Sequence, residues 1–166
     1  MKPQIVVSKC AGETIMALRP ADRFIPWVFQ VARLKCWGRP LTDVPVRLRY
    51  DAEGGGSGVC YVCPRRIAIT ACPDPARTIS VIVHEFAHAA AVNVRGADTE
   101  HHDERFKERL QGAITELTGF DPGMLDNYRT LQRACDDAVR AWWGANHAAA
   151  WETALKFERL AKGGRP

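Results

Sequence analysis

Thr78-Ile79-Ser80-Val81-Ile82-Val83-His84-Glu85-Phe86-Ala87-His88-Ala89 is the stretch on which the fold turns. At about 100° per residue on a helix, Ile79, Ile82, Val83, Phe86 and Ala90 fall in one arc, with His84 and His88 roughly opposite. Histidines four residues apart share a helix face, so both imidazoles can reach one metal ion. Glu85, between them in the H-E-x-x-H pattern, is turned aside and can address a water instead of the metal. With 5 His and 9 Glu among 166 residues, only about 0.008 such matches are expected by chance. The spacing therefore predicts a ligand helix with one side on the core and the other on the floor of a cleft.

Working outward, Asp74-Pro75 reads as an N-cap followed by proline in the first turn, and Gly96 as the stop after Arg95. Upstream, residues 21–37 carry Phe24, Trp27, Val28, Val31 and Leu34 at helical intervals, with Asp22 as a cap, and predict a first helix ending at Gly38. Val44, Val46, Leu48 and Tyr50 alternate with Pro45, Arg47 and Arg49, the period of a half-buried strand. The turn Glu53-Gly54-Gly55-Gly56-Ser57-Gly58 and the β-rich runs Val59 to Cys63 and Arg66 to Ala71 complete a small sheet, expected to be antiparallel. Downstream, a helix from near Asp103 to Gly119 should bury Phe106, Leu110, Ala113 and Leu117. A further helix carries Tyr128, Leu131, Cys135, Ala138 and Trp142 on one face, and Gly144 is expected to separate it from a last helix around Trp151 to Leu160. The fold class expected is α+β: a minimal zincin-like domain over 21–119 and a helical C-terminal extension over 120–161 packed on it.

Composition agrees with a soluble globular domain: 46% apolar and 25% charged residues exclude disorder and low-complexity polymers. Met1 to Lys9 holds too short an apolar run for a signal peptide and no window could span a membrane, so a cytosolic location is expected. Cys10, Cys36, Cys60, Cys63, Cys72 and Cys135 accordingly read as thiols. Cys60-Tyr61-Val62-Cys63 lacks the second cysteine pair of a four-cysteine zinc site. Before His84 there are 12 basic and 6 acidic side chains, and from His84 onward 11 and 13, so the +4 net charge hides a basic N-terminal half. Arg47, Arg49, Arg65 and Arg66 divide evenly between a solvated strand face and a phosphate-contacting one.

A catalytic zinc takes three protein ligands and keeps one position open. Val94 stands where the extended H-E-x-x-H-x-x-G-x-x-H pattern needs its last histidine, and Ala91 where it needs glycine, which excludes that class. The candidates left are His101, His102, Glu100, Glu104 and Glu108. His102 precedes Phe106 by four residues and prolongs the inward stripe, so it is the predicted third ligand; His101 lies about 100° away. Accessory donors to a developing oxyanion are sought at Tyr61, Tyr128 and His147. Trp142, Trp143 and Trp151 are expected to anchor the C-terminal helices.

The chain at this point resembles the SprT-like zinc metallopeptidases, which include the Spartan-type DNA–protein crosslink proteases. The resemblance runs from about Phe24 to Leu117 and rests on three blocks in order. Gly58-Val59-Cys60 and Ile67-Ala68-Ile69 match the G-x-C and I-x-L strand elements, Thr78 to Ala89 the ligand helix, and His102-Asp103-Glu104-Arg105-Phe106-Lys107 the H-G-x-x-F-K segment. It implies zinc on His84, His88 and His102, Glu85 as general base, and a strand around Ile67 to Thr70 that pairs with an extended protein or peptide substrate. It also implies weak DNA binding. Asp103 departs from the family's glycine, and Cys135 alone cannot supply the zinc ribbon that many relatives carry. Two other classes remain open. One resembles the repressor-cleaving ImmA/IrrE peptidases, with Glu100 or Glu104 as third ligand; the other is a nucleic-acid-associated protein whose zinc is structural.

Overall fold

The computed structural model describes residues 20–62, 64–91, 102–123, 126–161 and 163. A 3-10 turn at Asp22–Phe24 leads into helix α1 (Ile25–Val31), and a second such turn follows at Lys35–Trp37. Strands β1 (Val46–Tyr50), β2 (Ser57–Val62) and β3 (Arg65–Ala71) precede helices α2 (Pro75–Ala91), α3 (Glu104–Thr118) and α4 (Tyr128–Ala161). The class is α+β, with a three-stranded sheet and four α-helices among the described residues.

The single helix expected over 21–37 is broken into these three pieces. Leu34 turns extended at ψ 136°, and the chain then re-enters the core through Trp37, so Leu34 and Trp37 are both buried. Asp22 lies inside the first turn, whose cap position is held by Ala21. β1 begins at Val46, after Pro45, which has no N–H for the ladder but accepts from the Ile67 N–H at 2.9 Å.

The sheet is mixed where an antiparallel one was expected. Its order is β1-β3-β2: β2 runs antiparallel to β3, with Cys60 opposite Ile67, whereas β1 runs parallel to it, with Leu48 opposite Ile69. Alternation assigns each strand its two faces but does not name its neighbours. Asp51 to Gly56 therefore carries the chain across the position that β3 later fills, instead of closing a tight hairpin. The inner face, Ile67, Ile69 and Ala71, is buried against α2.

α2 opens as its sequence predicts: Asp74 Oδ1 accepts from the Arg77 N–H at 3.2 Å, with Pro75 in the first turn. Thr78 Oγ1 accepts from the Cys72 N–H at 3.0 Å and ties the end of β3 to the helix. Its expected continuation to Arg95 lies outside the described residues. α3 starts at the Asp103 cap, whose carboxylate accepts from the Phe106 N–H at 2.9 Å, and stops at left-handed Gly119.

α4 is continuous through Gly144, contrary to the expected break. One glycine in a helix interior costs about 1 kcal/mol. Trp142, Trp143 and Trp151, on both sides of it, all pack on fully buried Trp27 with ring centroids 5.5–5.9 Å away, which outweighs that cost. Leu131, Cys135, Val139 and Ala154 of α4 belong to the same hydrophobic core as Val28, Ile82 and Phe106, so the extension and the N-terminal part share one interior. No described helix is long and apolar enough to cross a membrane.

Candidate metal centre

Because α2 carries buried apolar residues along most of its length, its two histidines are its main polar opening. His84 and His88 are half-buried, one turn apart, with their Nε2 atoms 3.1 Å from each other. His102 enters from the turn before α3, and one donor nitrogen from each of the three rings lies within 4.8 Å of the others. The stripe argument thus points to the histidine that joins the cluster, though through a different local structure: His102 lies before the Asp103 cap rather than on the helix, and its ring packs on Phe106 at 4.8 Å. Asp103 stands at φ −68°, so an L residue fits there without strain and supplies the cap.

The donor set suits a metal ion. A tetrahedral ion with bonds of about 2.0–2.1 Å to nitrogen holds its ligand nitrogens about 3.3–3.4 Å apart, close to the His84–His88 separation. Burial holds the His84 imidazole below its ordinary pKa, against the Gln132 hydrogen bond and the Asp136 charge, which favour protonation. The ring is therefore neutral at neutral pH, the form that ligates. Of the acidic alternatives, Glu104 is exposed and ion-paired with Lys107, and Glu108 is exposed. Glu100 and His101 lie outside the described residues.

Glu85 is not one of the converging donors, and its carboxylate lies under β2 at Gly58. A Cβ placed on Gly58 would stand 2.5 Å from Glu85 Cγ and 2.7 Å from its Oε1, so only glycine lets the strand pass over this carboxylate. Burial pushes the Glu85 carboxyl up to about 7, while the Cys60 backbone N–H favours its charged form. A cleft of about 280 Å³ opens here, floored by Ser80, His84 and Glu85 and walled by Gly58 on one side and Tyr128 and Gln132 on the other.

The strand expected to receive substrate is corrected by the sheet order. β3, which contains Ile67 to Thr70, is the central strand, hydrogen-bonded to β1 and β2 on its two sides, and has no edge to offer. The edge strand beside Glu85 is β2. Of the accessory donors, Tyr128 is in the cleft. Tyr61 lies on the outer sheet face beneath Arg66, and His147 lies against Trp143.

Sequence reasoning missed Gln132 and Asp136. Gln132 Oε1 is 2.8 Å from His84 Nδ1, and Gln132 Nε2 donates to Asp136 Oδ1 at 2.8 Å. Asp136 also accepts from Ser80 and pairs with Arg77 at 3.3 Å. The available signal was the i, i+4, i+8 spacing of Tyr128, Gln132 and Asp136, one polar strip beside the apolar stripe of α4.

The cysteines behave as thiols: Cys36, Cys60, Cys72 and Cys135 form no disulfide, and burial pushes Cys36, Cys60 and Cys135 up to about 12. Cys10 and Cys63 lie outside the described residues. The outer sheet face carries Arg47, Arg49 and Arg66 around a groove of about 480 Å³ floored by Ala68 and Thr70. Arg65 turns to the other side, towards Asp43 at 3.4 Å and the Ala89 carbonyl.

In comparisons with known proteins, no family model matches the chain, and no curated protein and no solved structure matches it.

Proposed function

We propose that the protein is a zinc-dependent peptidase of the SprT-like type. The observation that carries this reading is the convergence of three imidazoles, one of which, His84, lines an open cleft together with the buried carboxylate of Glu85. A zinc ion held by His84, His88 and His102 supplies Lewis acidity toward water and the scissile carbonyl. Glu85 takes a proton from the attacking water and delivers it to the departing amine. The Tyr128 hydroxyl, which stands in the cleft 3.4 Å from Gln132 Oε1, donates toward the oxyanion. Substrate enters extended along β2, whose outer edge faces no other described strand.

Two features argue against the other readings. Glu104 is turned to solvent, which disfavours it as third ligand. The open cleft at His84 and Glu85 is unlike a closed structural site. Arg47, Arg49 and Arg66 supply a basic face for a DNA-associated partner, set apart from the cleft.

The test is metal analysis with a protease assay. Unaltered protein should carry about one zinc per chain, and His84→Ala or His102→Ala should lose it. Glu85→Gln should retain zinc while hydrolysis falls about 10³-fold or more. Undiminished turnover in Glu85→Gln overturns the peptidase reading, and release of zinc by Glu100→Ala but not His102→Ala transfers the chain to the repressor-cleaving type.

A further inference from the structure

Hydrogen-bond logic along α4 reaches two of the three histidines. Asp136, paired with Arg77 at 3.3 Å, is a carboxylate and can only accept. Its partner at 2.8 Å must therefore be the amide nitrogen of Gln132, which leaves the amide oxygen facing His84 Nδ1. An oxygen at that position requires a proton on Nδ1. The proton cannot then be on Nε2 of the neutral ring, and that nitrogen presents its lone pair to the site. One turn earlier, the Tyr128 ring lies flat on His102, 3.6 Å between centroids and 9° between planes, and fixes the plane in which that imidazole approaches.

Resting on the metal-centre reading above, we propose that the first turns of α4 are the positioning element of the centre. Asp136 through Gln132 sets the tautomer and orientation of His84, and the Tyr128 ring sets the orientation of His102. These are positioning residues: none contributes a donor atom to the converging trio. Arg77 and Ser80 of α2 brace Asp136 from below, so the relay returns to the helix that carries the ligands. The segment after residue 120 is then part of the site rather than an accessory to it.

The experiment measures zinc affinity by chelator competition and the visible spectrum of the cobalt-substituted full chain, with thermal unfolding of the metal-free protein as the folding control. Gln132→Met keeps the side chain's length and removes the amide; it should raise the zinc dissociation constant about 10–100-fold and shift the cobalt bands. Asp136→Asn touches no ligand but lets the Gln132 amide turn over. It should weaken zinc to a lesser degree with a spectral shift in the same direction, and it carries the test should Gln132→Met not fold. Tyr128→Leu should weaken zinc, whereas Tyr128→Phe, which keeps the ring, should restore binding to within a few-fold.

Wild-type affinity and an unshifted cobalt spectrum in both Gln132→Met and Asp136→Asn, with His84→Ala losing the metal, would overturn the positioning role and leave the centre standing. Retention of zinc by His84→Ala would remove the centre and this proposal with it. Equal affinities for Tyr128→Leu and Tyr128→Phe would strike out the stacking half.

Discussion

α4 connects two ring clusters of similar geometry and different consequence. Around its middle, Trp142, Trp143 and Trp151 surround Trp27 at 5.5–5.9 Å. At its start, Tyr128 joins His84, His88, His102 and Phe106, with the histidine centroids 4.8–5.4 Å apart. The tilts overlap, and so do the centroid distances once Tyr128 is counted, at 6.1 Å from His84 and 5.9 Å from Phe106, so ring packing alone does not separate a hydrophobic anchor from a metal centre. The atoms behind the rings do. At the histidines an amide and two carboxylates stand within reach, whereas the tryptophans lie among α1 and α4 side chains of the hydrophobic core. A cluster kept for packing can bury all its edges; one kept for chemistry must leave its nitrogens aimed at a common point and its neighbours polar.

The largest effect that tests this contrast is on stability. Trp27→Ala should cost about 3–5 kcal/mol, since an indole in contact with three others leaves a cavity that one helix cannot close. Urea unfolding reads the loss, and the milder Trp151→Ala should move the midpoint the same way. In both variants the folded fraction should bind zinc as the unaltered chain does. A coupled fall in zinc affinity would mean that the two clusters form one unit and that the contrast between them is false.

Next in size is a variant at the strand above the carboxylate. Gly58→Ala places a methyl 2.5 Å from Glu85 Cγ, so the carboxylate or β2 must move. A 1 Å displacement of a catalytic group costs about 100-fold in rate. Peptide hydrolysis should fall by about that factor while zinc content stays near one per chain. Wild-type turnover in Gly58→Ala would show that Glu85 is not held in place by the strand, and the chemical cluster would be looser than its geometry suggests.

The sequence exposes these two clusters unequally. His84 and His88 are legible because helical spacing leaves few alternatives, and His102 because Phe106 and Leu110 mark a buried face whose start it meets from the turn before α3. The tryptophan anchor follows from size alone, since large apolar rings pack on the core: Trp27 is buried, and Trp142, Trp143 and Trp151 are partly buried against it. The order of the strands is hidden, because Val46, Leu48, Ile67 and Ile69 alternate alike whichever strand lies beside which. Gln132 and Asp136 are hidden for a related reason: a polar residue on a helix is usually at a solvated face, and only the packing of α4 onto α2 turns these two inward. Gly58 is legible as part of a turn but not as the roof over Glu85. What the chain encodes locally can be read from its period; what arises when two elements meet cannot.

A third ring environment sharpens the comparison with the smallest effect. Tyr61 lies on the outer sheet face with the Arg66 guanidinium 4.5 Å from its ring centre, exposed rather than enclosed. The strand register puts Arg47 and Val59 on either side of Ala68, and Arg49 and Ser57 on either side of Thr70. Three arginines thus stand round a floor of small side chains, and none of the three is ion-paired to a described residue. Such a face suits a flexible polyanion: phosphates on the guanidinium groups and a base near the aromatic ring. With so few phosphate contacts, single-stranded DNA should bind at about micromolar strength or weaker at physiological salt, with a salt slope of about −0.7 per contact. Arg47→Glu with Arg49→Glu should abolish that binding and any stimulation by DNA of the cleavage of a DNA-bound substrate. Zinc content and unstimulated cleavage should stay as they were, because the sheet lies between these arginines and α2. Equal binding by the double variant would make the outer face a solvated strand surface, and equal cleavage with and without DNA across a salt titration would leave a peptidase directed to its substrate by β2 and the cleft alone.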